Sequence, residues 1–251
     1  MSDEIAAYPR ELTTMERYSR LFVAPGSVFE AIRDLPPSRI HWLVPVLLYI
    51  LTATVCVQII VGQPGPAASL KELSEKEFLP VMEQYITDGT ITRQQAESLM
   101  LFITPGTTQF FITQLFSSGI VSFMTLFVVG FMVWQLGRSV LGRNVEYKKV
   151  LEIIGLTFLI GILEQIVSTV LVVATGSVFA SPSPGIFFLH DTESVLFPIL
   201  SSINLFMLWQ LWVVSSGLSW FFEREFPKVF VLVMALWLLW TMVTVAPVLM
   251  S

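Results

Sequence analysis

LEIIGLTFLIGILEQIVSTVLVVATG, residues 151 to 176, is apolar over the length of a bilayer crossing, yet it carries a carboxylate, Glu164, and an amide, Gln165, near its middle. A hydrocarbon core about 30 Å thick takes roughly 20 residues of helix. The stretch therefore reads as a transmembrane helix, and its neighbours read the same way. Segments of comparable length and apolarity lie at about 42 to 62, 110 to 137, 195 to 220 and 228 to 250. Composition agrees: of 251 residues 54% are hydrophobic and only 13% charged, where a soluble domain carries about a quarter, and the mean hydropathy is +0.74. The fold class expected is an all-α membrane protein with five transmembrane helices. Pro45, Pro198 and Pro247 are read as lying in the first or last turns of their helices, where a missing N–H costs least.

Charge sets the expected orientation. With the N-terminus inside, the inner segments hold 11 Lys and Arg residues and the outer ones 3, so the positive-inside rule selects N-in, C-out. Trp42, Trp134, Trp220 and Tyr147 then fall near the inner interface, where aromatic rings anchor. The polar opening MSDEIAAYPRELTTMERYSR has no apolar h-region, so the first span is expected to act as signal anchor. A net charge of −5, with basic residues set beside apolar segments, argues against a nucleic-acid partner. The single cysteine, Cys56, forms no intrachain disulfide and no metal-type spacing.

Two appendages flank the spans. Residues 1–41 read as a cytoplasmic arm holding a short amphipathic helix: Ser27 and Glu30 have capping-box spacing, Val28, Phe29, Ile32 and Leu35 share an apolar face, and Pro36-Pro37 ends it. That face is expected to lie in the membrane interface. Residues 42–251 form the transmembrane domain, with an extracytoplasmic insertion at 63–109. There the linker QPGPAA is followed by two helix starts, Ser69 with Glu72 and Thr92 with Gln95, with Asp88-Gly89 as the turn between. The arrangement predicts an acidic helical hairpin.

Within the bilayer, Thr157, Gly161, Glu164, Ser168 and Thr175 share one helix stripe. A charged group facing lipid at depth costs about 2.5 to 3.5 kcal/mol, so Glu164 is expected to face another helix. Asn204 and Gln210 on the fourth span, Gln114 and Gln135 on the second and Gln58 on the first are its candidate partners. Two roles are open: a buried hydrogen bond fixing helix register, or a proton or cation site in a transporter. Neither an internal repeat nor a mid-span Gly/Pro break is visible, which favours the structural role. Arg138, Arg143, Lys148 and Lys149 in the second loop form a candidate site for anionic lipid head groups, each cation worth about 1 kcal/mol near the surface.

Two stretches resemble the Yip family of multispan membrane proteins, whose eukaryotic members interact with Ypt/Rab GTPases. RLFVAPGSVFEAIRDLPPSRIHWLVPVLL resembles the family's opening pattern of a Pro, a Phe-containing short helix, a second Pro and the first span. LGRNVEYKKVLEIIGLTF resembles its second cytoplasmic loop running through an aromatic and a basic pair into the third span. The resemblance covers most of residues 20 to 250 and implies a prokaryotic-type integral membrane protein without an established activity; no cofactor is expected. The arm is short beside the GTPase-binding arms of eukaryotic relatives, which argues against a Rab-type GTPase partner.

Catalytic sets are missing from the sequence. Histidines 41 and 190 are read as lying outside the spans, as are all four aspartates, and no HExxH, P-loop or dinucleotide motif appears. His190, Asp191 and Glu193 are ligand-type residues in a polar loop, read as solvated rather than as a metal site. The function expected is therefore a non-enzymatic scaffold, assembly factor or accessory subunit, binding membrane lipids and either other membrane proteins or a second copy. The alternatives are a transporter built on Glu164 and membrane shaping by the residue 27–35 helix. The expected location is a prokaryotic cytoplasmic membrane.

Overall fold

In the computed structural model, which describes residues 12–250, the chain is all-helical among the described residues. Arg10, Asp3 and the rest of the arm up to residue 11 lie outside the described residues. Helix α1, Thr14–Leu21, opens with a capping box in which the Thr13 hydroxyl accepts from the Glu16 N–H and the Glu16 carboxylate accepts from the Thr13 N–H. Helix α2 is Pro25–Arg33. It begins ahead of the predicted Ser27 cap because Pro25, with its φ already helical, occupies the first turn; the Ser27 hydroxyl instead donates to the Ala24 carbonyl at 2.8 Å.

Helix α3, Ile40–Val61, is the first span and already includes His41, which the sequence reading had placed outside. Pro45 falls in its second turn rather than its first, so the His41 carbonyl has no i+4 donor. Helices α4, Pro64–Thr87, and α5, Arg93–Met100, make the hairpin. The expected linker at 63–68 is helical from Pro64 on: Pro64 starts α4 and the Ser69 position lies inside it. The second start holds, with Thr92 and Gln95 in a capping box, and Gly89, at φ +70°, turns the chain between them. Helix α6, Thr108–Leu136, runs into a π-helical turn, Gly137–Leu141, and helix α7 is Tyr147–Thr175.

The largest departure is in the fourth span. The apolar run from 195 is two helices, α8, Leu196–Ser202, and α9, Leu205–Phe222, interrupted at Ile203 and Asn204. Asn204 is extended and caps α9 through its own side chain, so the helix begins anew there, a local competition with helical backbone that Asn makes readily. A loop with a 3₁₀ turn, Pro184–Phe188, leads into α8. Helix α10, Phe226–Met250, closes the chain. Among the described residues five helices are long and apolar enough to cross a membrane: α3, α6 with its π turn, α7, α9 and α10.

Helix α7 is the centre. It packs along α3, α9 and α6, while α10 lies on α9. Of the most apolar stretch, 44% is buried in α7 and in α9, against 17% in α6 and 11% in α10, so the last two form the rim. Small residues permit the tight approaches. A Cβ on Gly155 would overlap the Cα and Cβ of Trp42, and one on Gly217 would meet Ile153 and Phe29. The apolar face of α2 is turned into this bundle rather than onto lipid. Val28, Phe29 and Ile32 are fully buried, Leu35 packs at the edge of the same core, and the Phe29 ring meets Phe221 edge-on. Helix α2 lies along α9, and burying those side chains against protein satisfies the same hydrophobic demand that the interface would have met.

Candidate functional site

Helix α7 carries two carboxylates, Glu152 near its start and Glu164 beyond its middle. Glu164 faces the beginning of α9. The Asn204 side-chain oxygen accepts from the Phe206 N–H at 2.8 Å as the helix cap, which leaves its Nδ2 to donate, and Nδ2 bonds Glu164 Oε1 at 2.7 Å. The cap therefore fixes which way the amide points. Of the other expected partners, Gln210 comes near Gly161, one turn before Glu164, without bonding the carboxylate. Among the described residues no hydrogen bond from Gln58, Gln114 or Gln135 reaches Glu164. The Gln165 carbonyl accepts from the Thr169 hydroxyl at 2.7 Å, while its buried Oε1 has no hydrogen-bond partner. Tyr49 fills the space over Gly161 and meets Phe158 edge-on at 5.1 Å.

The second cluster was not foreseen. Glu152 is fully buried and accepts three hydrogen bonds, from the Ser38 N–H and His41 Nδ1 on Oε1 and from Lys149 Nζ on Oε2 at 3.1 Å. Lys149 Nζ also donates to the Ile32 carbonyl at 2.6 Å and lies 5.5 Å from the centre of the Phe221 ring. One carboxylate thus gathers α2, α3 and α7. The Lys149–Glu152 spacing of three on a helix was the sequence signal for half of it; nothing local pointed to His41 or Ser38.

This geometry revises the head-group site. Lys149 is consumed inside the protein. Arg143 pairs with Glu223, which Arg33 also approaches at 4.0 Å, and Arg33 bonds Asp34 through both Nε and Nη2 at 3.1 Å. The Arg143 hydrogen bond holds the Glu223 carboxyl below the usual carboxylate range, and the Arg33 hydrogen bond does the same for Asp34. Arg138 lies over the Trp134 ring at 5.6 Å, and Lys148 is exposed beside Glu146. Arg224 donates through two nitrogens to the Leu141 carbonyl, securing the π turn. Among the described residues no group of three or more His, Cys, Asp or Glu side chains is placed to hold a metal.

Five apolar spans, with the polar-tied α7 at the centre of their bundle, define a multi-pass integral membrane protein. The Yip1 domain matches residues 19–246, and the chain belongs to the Yip1 domain family, as the two quoted stretches implied. No curated protein and no solved structure matches the chain.

Proposed function

We propose that this protein is a non-enzymatic membrane scaffold or accessory subunit that binds other membrane components. One observation carries the reading: the two carboxylates of the central helix are engaged inside the protein, Glu152 with Lys149 and His41 and Glu164 with Asn204, whereas α6, α10 and the α4–α5 hairpin keep apolar side chains outward. Phe116, Ile120 and Met124 on α6, Leu239 and Trp240 on α10, and Phe78, Val81 and Tyr85 on α4 are all exposed. In a bilayer the first two sets meet lipid or another protein's helices. The hairpin set is spaced along one helix face outside the spans, as a contact surface requires. The 11 to 3 bias of basic residues supports an N-in orientation in a prokaryotic cytoplasmic membrane, with the hairpin on the outer side. Purification from the source membrane in mild detergent, followed by mass determination of the intact particle, tests this. A stoichiometric second polypeptide is expected; a homogeneous particle of this chain and lipid alone counts against it.

A second reading, a proton or cation transporter using Glu164, is favoured by the interruption at Ile203 and Asn204. Broken helices build substrate sites in many carriers, and this break lies on the carboxylate. Flux measured in liposomes that is lost in Glu164→Gln at unchanged assembly would select it.

A further inference from the structure

Helix α9 is too short to reach the face of the membrane that carries the α4–α5 hairpin. Two contacts fix its register on α7: a Cβ on Gly217 would meet Ile153, and Asn204 bonds Glu164. From the level of Ile153, α7 climbs twenty-two residues to Thr175, about 33 Å. From Gly217, α9 climbs only twelve to Leu205, about 18 Å. The end of α7 marks the hairpin-side surface, because the Gly176 carbonyl lies beside Gly65 at the start of α4. Leu205 therefore begins α9 about 15 Å below that surface, within the hydrocarbon.

The chain between α7 and α9 goes down to meet it. The Leu205 N–H donates to the Pro182 carbonyl at 3.2 Å, and Pro182 is only seven residues past Thr175. Gly185 then packs so closely on α8 that a Cβ would overlap the Ser201 hydroxyl, Phe179 meets Phe197 edge-on at 5.9 Å, and Ala180 and Ser183 are buried. Helix α8 in turn rests on α10, itself a span. Non-helical backbone persists at membrane depth only where protein satisfies it. That condition is met by the Pro182 bond, by the Ser183 N–H on the Ser181 carbonyl at 2.8 Å and by the Ile186 N–H on the Ser183 carbonyl at 3.1 Å.

We infer that residues 177–204 form a re-entrant element in the hairpin-side leaflet, and that the partner of its outward surface is lipid acyl chains. The side chains agree with the depth. Phe187 is 85% exposed and Leu205, next to the break, 66%, with Val195 and Leu196 exposed as well. At this level they meet hydrocarbon, which satisfies them without a protein partner. The ionisable residues of the segment, His190, Asp191 and Glu193, are confined to the stretch between the 3₁₀ turn and α8, where the chain returns to the surface. So placed, the element stands between the Glu164–Asn204 pair and hairpin-side water.

Nitroxide labels on single cysteines test the assignment, in the full Cys56→Ala chain in nanodiscs, by electron paramagnetic resonance with oxygen and a neutral nickel chelate as collision reagents. Phe187→Cys and Leu205→Cys replace exposed side chains and so leave the packing intact. Ile120→Cys on the exposed face of α6 is the lipid reference, and Lys76→Cys on the hairpin is the water reference. Nickel collisions at 187 and 205 are expected about tenfold below those at 76, because a polar complex enters hydrocarbon poorly. Oxygen collisions should match those at 120, and 205 should read deeper than 187. Nickel access at 187 and 205 equal to that at 76 overturns the assignment and makes the segment a solvated loop. Low access to both reagents, with or without spin–spin broadening from a second copy, also overturns it, since protein rather than lipid then covers the surface.

Discussion

Glu152 and Glu164 stand twelve residues apart on one helix, about 18 Å along its axis, and their surroundings differ in kind. Glu152 is sealed in protein with three donors, two of them from other parts of the fold. Glu164 is only partly buried, has the one hydrogen bond from Asn204, and sits where the neighbouring helix is interrupted. A carboxylate with its donors complete is a fastening, since removing it strands buried partners. One with spare capacity beside broken backbone keeps the chemical freedom that a transport site needs.

The contrast can be broken most directly by removing each carboxylate. Glu152→Leu leaves Lys149 buried without its counter-ion and should cost about 3 to 5 kcal/mol, read as a lowered Tm in detergent. Glu164→Leu should cost no more than about 1 to 2 kcal/mol, an interhelical hydrogen bond in a membrane. Equal losses would erase the distinction. Gly155→Ala forces α3 and α7 apart next to the Glu152 cluster and should cost about 1 to 3 kcal/mol; the same change at Gly119, which has nothing within 4 Å of an added Cβ, should be nearly silent in the same melting series. Asn204→Ala removes a helix cap and the Glu164 bond together, and a loss of about 1 to 2 kcal/mol is expected. Much of it should vanish when Glu164→Gln is already present if the two act as a pair.

The smallest effect concerns the surface pairs. Glu223 and Asp34 are held below the ordinary carboxylate range by Arg143 and Arg33. Their contribution is present above the ordinary carboxylate pKa and lost as pH falls through the lowered one. Both are solvent-exposed, so salt should screen it. A slight Tm decline on acidification below about pH 4, flattened in Glu223→Gln and in high salt, is the expected signature.

The spans were legible because lipid allows few solutions, and twenty apolar residues in a row have one common reading. Asn204 as the partner of Glu164 was legible too, being one of few polar groups on a facing span. Its capping role was not, because an apolar run gives no sign of where the helix restarts; Pro198 drew attention and Asn204 made the break. The α2 face was read from the spacing of its apolar residues, but spacing says that a face is covered and not by what, and α2 lies along α9. Glu152 was missed because two of its three donors, Ser38 and His41, come from the chain's first forty-one residues, which no local pattern links to the third span. Lys149 was misread for the same reason: a basic residue at a helix start looks like a topology signal until its acceptors are in place.

The long-range reach of Glu152 also bears on how the chain is made. Ser38, His41 and the Ile32 carbonyl leave the ribosome more than a hundred residues before Glu152 and Lys149 do. Until α7 is delivered, that polar set at the foot of α3 lacks its acceptor and its ammonium donor and is stable only beside water. Biosynthesis thus sets an order: the first helix waits with its base at the bilayer surface, and arrival of the third closes the junction in a late, single event.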